Sequence, residues 1–63
     1  MKGRTLRSMR HRAGISGTVL AEALGVSWNT VYRWERNEVA ISGAMENLIN
    51  MTLDRIIRQR QMD

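Results

Sequence analysis

Residues 17–36 read GTVLAEALGVSWNTVYRWER, and the order of small, apolar and polar positions in that stretch decides the architecture. Leu20, Ala21 and Leu24 fall on one face of a short helix at spacings of one and four residues. Gly25 then interrupts the pattern, and glycine tolerates the positive φ that a tight helix-ending turn demands. Ser27 follows with a side-chain oxygen suited to capping a second helix from Trp28 to about Arg36. Val31, Trp34 and Glu35 face one way on that second helix, and Trp28, Asn29, Tyr32, Arg33 and Arg36 face the other. Two short helices can cross closely only where a contact residue is small, and Ala21 meets that need. Leu20, Leu24, Val26, Val31 and Trp34 anchor the pair and leave one polar face free.

The pattern extends outward in both directions. Upstream, Leu6, Met9, Arg10 and Ala13 share one side of a helix from about Arg4 to Arg12, which Gly14 ends. Ser16 is placed to cap the helix that starts at Gly17. Downstream, Asn37 to Ile41 read as a loop and Ser42 as a cap. From Gly43 to about Gln61, Met45, Leu48, Ile49, Leu53, Ile56 and Ile57 keep helical period. That segment accommodates one long helix, or two with a bend near Asn50 to Thr52 and Thr52 as the second cap. Proline is absent and no stretch alternates in the manner of a strand, so the expected fold class is all-α, a compact bundle of four to five helices.

With 63 residues, one domain is expected over residues 1–63, its C-terminal helical part at 43–63. Nine of the ten basic residues are arginine, and the net charge is +4. The charge is lopsided. Residues 1–36 carry Lys2, Arg4, Arg7, Arg10, Arg12, Arg33 and Arg36 against Glu22 and Glu35, whereas residues 37–63 set Arg55, Arg58 and Arg60 against Glu38, Glu46, Asp54 and Asp63. A basic front half calls for a polyanionic partner, and arginine suits bidentate contact with phosphate or guanine.

Other classes find little support. No apolar run is long enough to span a membrane, and the N-terminal residues lack the apolar stretch of a secretory signal. There is no cysteine, and His11 is the lone histidine, flanked by Arg10 and Arg12. No metal site, cofactor or small-molecule ligand is therefore expected. The scattered carboxylates offer no nucleophile with an activator, which argues against an enzyme. A cytoplasmic protein of a bacterial or phage-infected cell is the expectation.

The run Arg12-Ala13-Gly14-Ile15-Ser16, then Leu20-Ala21-Glu22-Ala23-Leu24-Gly25-Val26-Ser27, then Thr30-Val31-Tyr32-Arg33-Trp34-Glu35-Arg36, resembles the Cro/repressor (Xre-type) helix-turn-helix family of phage and bacterial regulators. The resemblance covers roughly residues 4 to 50, and Ala21, Gly25, Val31, Trp34 and Glu35 match it together. It implies a lambda-repressor-like bundle acting as a homodimer on a near-palindromic operator, with the second motif helix in the major groove of double-stranded DNA. It places base reading on Trp28, Asn29, Tyr32 and Arg33. Arg33 suits guanine N7 and O6, and Asn29 suits adenine N6 and N7. Phosphate contacts fall on Thr18, Ser27, Thr30, Arg36 and Asn37, and on Gly17 through its backbone amide alone. Arg10 and Glu35 are expected to form a partly buried ion pair.

The chain departs from that family at three places. Gly17 stands where many members carry glutamine. Asn37-Glu38-Val39-Ala40-Ile41 replaces a loop rich in glycine and proline, and Glu38 there would repel phosphate unless turned away. Trp28 is large for a base-reading position, and packing on the preceding helix is the alternative use for it. Trp34, Met9 and Met45 read as core. Leu53, Ile56 and Ile57 are candidates for a dimer seam as well as for the core, while Arg55, Arg58 and Arg60 read as a solvated face with an Asp54–Arg58 pair. Two functions fit: a transcriptional repressor controlled by its own concentration, or an antitoxin-like module that binds a partner protein and autoregulates its promoter.

Overall fold

A computed structural model describes residues 1–61. The described residues form four helices: α1 (Gly3–Ala13), α2 (Gly17–Leu24), α3 (Trp28–Glu35) and α4 (Gly43–Gln61). Local chemistry sets each boundary. Gly14 takes φ 71° and Gly25 takes φ 75°, and in each case the glycine N–H donates back to carbonyls of the helix it ends. Ser16 Oγ accepts from Val19 N at 3.2 Å, and Ser27 Oγ accepts from Thr30 N at 3.3 Å. Ser42 Oγ does the same for Met45 N at 3.1 Å. Each hydroxyl satisfies a backbone donor that the first helical turn leaves unpaired.

The segment after Ser42 is one continuous helix of 19 residues rather than two. Thr52 is 5% exposed within it and caps nothing. The core gathers Leu6 from α1, Leu20, Ala21 and Leu24 from α2, Val31 and Trp34 from α3, and Ile49 and Leu53 from α4. Leu53 is 1% exposed, which makes it part of the monomer's core and leaves it almost no surface for a dimer seam. Ile57 packs partly buried against that core, and Ile56 is half-buried. Met9 and Met45 also pack against it.

Two long-range contacts tie the start of α1 to the end of α3 and the end of α4 to the end of α1. Gly3 is buried against the end of α3, where a Cβ would collide with the carbonyl oxygens of Trp34 and Glu35. Its N–H donates to Asn37 Oδ1 at 2.9 Å, and Asn37 holds φ 62° to present that oxygen. At the other end, Arg60, exposed like Arg55 and Arg58, also donates to the Ala13 carbonyl at the end of α1. Asp54 and Arg58 do pair on the solvated face, at 3.1 Å and well exposed. Because α4 packs on α1 and α2, the outer side of α3 stays uncovered. No helix among the described residues is long and apolar enough to cross a membrane.

Candidate nucleic-acid interface

The interface is built on α3 and begins with what holds that helix in place. Val31 and Trp34 are 1% and 6% exposed and fix its inner side. Glu35, next to Trp34, receives a bidentate guanidinium: Arg10 Nε donates to Oε2 at 2.7 Å and Arg10 Nη2 to Oε1 at 3.0 Å. The third nitrogen, Nη1, donates to the Ile15 carbonyl at 3.1 Å. One arginine thus joins α1, the turn after it and the end of α3. The two side chains are 15% and 11% exposed. The hydrogen bonds to Glu35 hold the Arg10 guanidinium above its ordinary pKa, against the desolvation that opposes them.

The outer side of α3 carries two rows. In the first, Trp28 and Tyr32 stack with ring centroids 5.2 Å apart and planes 19° from parallel. Arg36 continues that row: its Nη1 donates to Tyr32 Oη at 2.6 Å, and its guanidinium carbon stands 5.2 Å from the Tyr32 ring centre. That hydrogen bond holds the Arg36 guanidinium above its ordinary range. Arg36 Nε also lies 3.4 Å from Glu38 Oε2, so Glu38 is directed at Arg36 on the interface side and not away from it. In the second row, Asn29 and Arg33 are exposed, and neither makes a side-chain hydrogen bond to the described residues.

The residues expected to touch phosphate divide by how free their polar atoms are. Thr18 is exposed at the start of α2, and Gly17 beside it is half-buried. Ser27 is committed to capping, and its hydroxyl lies 2.9 Å from that of the half-buried Thr30. Asn37 has its side-chain oxygen engaged by Gly3. Two departures from the family pattern come together in space. Trp28 Nε1 is 3.9 Å from the place a Gly17 Cβ would occupy, so the indole lies beside the start of α2 at ordinary contact distance.

Sequence reading passed over Arg7. It lies on α1 across a groove from Tyr32 and Arg36, with Arg10 and Glu35 also lining it. Its three-residue step from Arg10 is the signal that places both on one side of α1. Among the described residues no group of acidic, histidine or cysteine side chains is arranged to hold a metal ion.

Comparison with known proteins gives the same architecture. A helix-turn-helix-type transcriptional regulatory protein of Pyrobaculum aerophilum, so named, is 50% identical over 50 residues. That alignment takes in 78% of this chain, and the chain spans only 20% of the relative's length. No solved structure matches. The helix-turn-helix domain family matches residues 3–49, from the first turn of α1 into α4. The chain belongs to that helix-turn-helix family, with the Xre-like spacing of Ala21, Gly25, Val31, Trp34 and Glu35.

Proposed function

We propose that the chain is a sequence-specific, double-stranded-DNA-binding transcriptional regulator that inserts α3 into the major groove. The observation that carries this reading is the pairing of a locked inner side of α3 with an outer row, Asn29 and Arg33, whose side chains have no hydrogen-bond partner among the described residues. A side chain that reads a base edge must be held in register yet keep its donors free. In this reading Arg33 donates to guanine and Asn29 pairs with adenine. Gly17, Thr18, Ser27, Thr30, Arg36 and Asn37 ring that helix and meet the backbone, Gly17 and Asn37 through the polar groups left to them. The relative's name supports the same class of function.

Regulation is Cro-like and steric: the protein occupies an operator and blocks access to it. Residues 1–63 act as one domain and bind as a homodimer, with α4 contributing the seam. Apolar side chains of α4 with surface left for a second copy are Leu48 and Met51, 41% and 70% exposed, and the half-buried Ile56 and Ile57 on other sides of the helix.

Selection of binding sites from random duplex DNA, followed by sequencing, tests the reading. The expected result is a near-palindrome whose half-sites are centred about 34 Å apart, one helical turn. A selected single half-site would overturn the dimer, and failure to enrich any sequence would overturn base reading.

A further inference from the structure

We propose that the groove between α1 and α3 seats a backbone phosphate of the bound duplex, with Arg7 and Arg36 as its ligands and Tyr32, held from behind by its stack on Trp28, as its fixed wall. This rests on the DNA-reading assignment above and divides the labour within it: the aromatic row sets affinity, and Asn29 and Arg33 alone set sequence preference.

The groove holds about 330 Å³ and is lined by Arg7, Arg10, Tyr32, Glu35 and Arg36. Three guanidiniums face one carboxylate there, which makes the site cationic. Arg10 is spent on Glu35 and on the Ile15 carbonyl. Arg7 has no carboxylate partner among the described residues. Arg36 gives one N–H to Tyr32 and directs another at Glu38, which leaves donors for an anion. A phosphate oxygen is the acceptor that such a pair of forks fits best.

The aromatic rings are poorly placed to read bases. Trp28 and Tyr32 are engaged with each other, and the Tyr32 hydroxyl accepts from Arg36. The indole lies beside Gly17 at the flank of α3. Reaching a base edge would require breaking the stack and releasing Arg36. Tyr32 is thus a positioning residue that acts through Arg36. Glu38 competes with the phosphate for the same guanidinium.

The test uses the whole chain, the selected operator and a scrambled duplex of equal length, with affinities measured over a salt series. Arg7→Ala is expected to weaken both duplexes about tenfold, the loss of one charge-assisted hydrogen bond. The slope of log affinity against log salt falls by about one. Tyr32→Phe keeps the stack, removes the hydroxyl and weakens both duplexes severalfold without changing the preferred bases. Glu38→Gln strengthens both, a gain that misfolding cannot imitate. Asp54→Asn makes the same charge change on α4 and serves as the comparison.

Equal effects of Glu38→Gln and Asp54→Asn would overturn the proposal, as would an unchanged affinity in Arg7→Ala. A changed base preference in Trp28→Phe or Tyr32→Phe would overturn the division of labour while leaving DNA reading intact. A parent protein that bound neither duplex would overturn the functional reading, and the groove assignment with it.

Discussion

The two sides of α3 share one eight-residue helix and the same residue types, yet they work in opposite ways. Trp34 on the inner side is 6% exposed, whereas Trp28 on the outer side is 51% exposed and stacked on Tyr32. The charged Glu35 on the inner side is matched within the protein by a bidentate arginine, whereas Asn29 and Arg33 on the outer side make no side-chain hydrogen bond or ion pair among the described residues. A recognition surface therefore depends on interactions that never touch the ligand.

The largest break in this comparison comes from the inner side. Glu35→Ala strands the Arg10 guanidinium in a site only 15% exposed and is expected to cost about 3–5 kcal/mol of stability, read by urea denaturation. The pH dependence follows from the raised Arg10 pKa. A group whose folded pKa is raised contributes fully below its unfolded pKa and loses that contribution as pH rises through the folded value. Arg10 therefore gives no slope to stability at neutral or mildly alkaline pH, and its contribution is lost only in strong alkali.

A smaller effect is expected at Gly3, where α1 meets the end of α3. Gly3→Ala drives a methyl group into backbone carbonyls that cannot step aside, at a cost of about 1–3 kcal/mol in the same denaturation measurement. On the outer side, Thr18→Ala should leave stability within about 0.5 kcal/mol and weaken binding equally for operator and scrambled DNA, with the salt slope unchanged because the hydroxyl carries no charge. Smallest for the monomer is Met51→Ser, at a residue 70% exposed. Thermal melting of dilute protein should move little. Sedimentation should show weaker dimer formation, and an unchanged dimer would remove α4's apolar surface from the seam.

Much of this was legible in the sequence because it is local. Ser16, Gly25 and Ser27 mark the ends of α2 and the start of α3 within a few residues of the bonds they make. The Trp28-to-Tyr32 and Asn29-to-Arg33 steps define two rows on one helix. What stayed hidden depends on distant segments meeting. Gly3 looks like an ordinary residue of the amino-terminal stretch until α1 is laid against α3. Asn37 follows Arg36 and so reads as a phosphate contact, but its positive φ aims its oxygen at an amide 34 positions earlier. Arg60 is exposed as its period implies, and its reach to a carbonyl 47 positions earlier is invisible to period. Periodicity also could not separate Leu53 from Ile56 and Ile57, since all three lie in one apolar stripe and only packing against α1 and α2 buries the first fully.

The most direct measurement concerns Arg33. Its affinity contribution should be read as Arg33→Ala against every single-base-pair variant of the selected operator, with a thermal melt to confirm an unchanged fold. The account predicts a loss of about 1–3 kcal/mol on the operator and a relaxed preference at one base pair, every other position keeping its rank. If the variant binds the operator as tightly as the parent and discriminates all positions equally well, α3 does not read the duplex through this face.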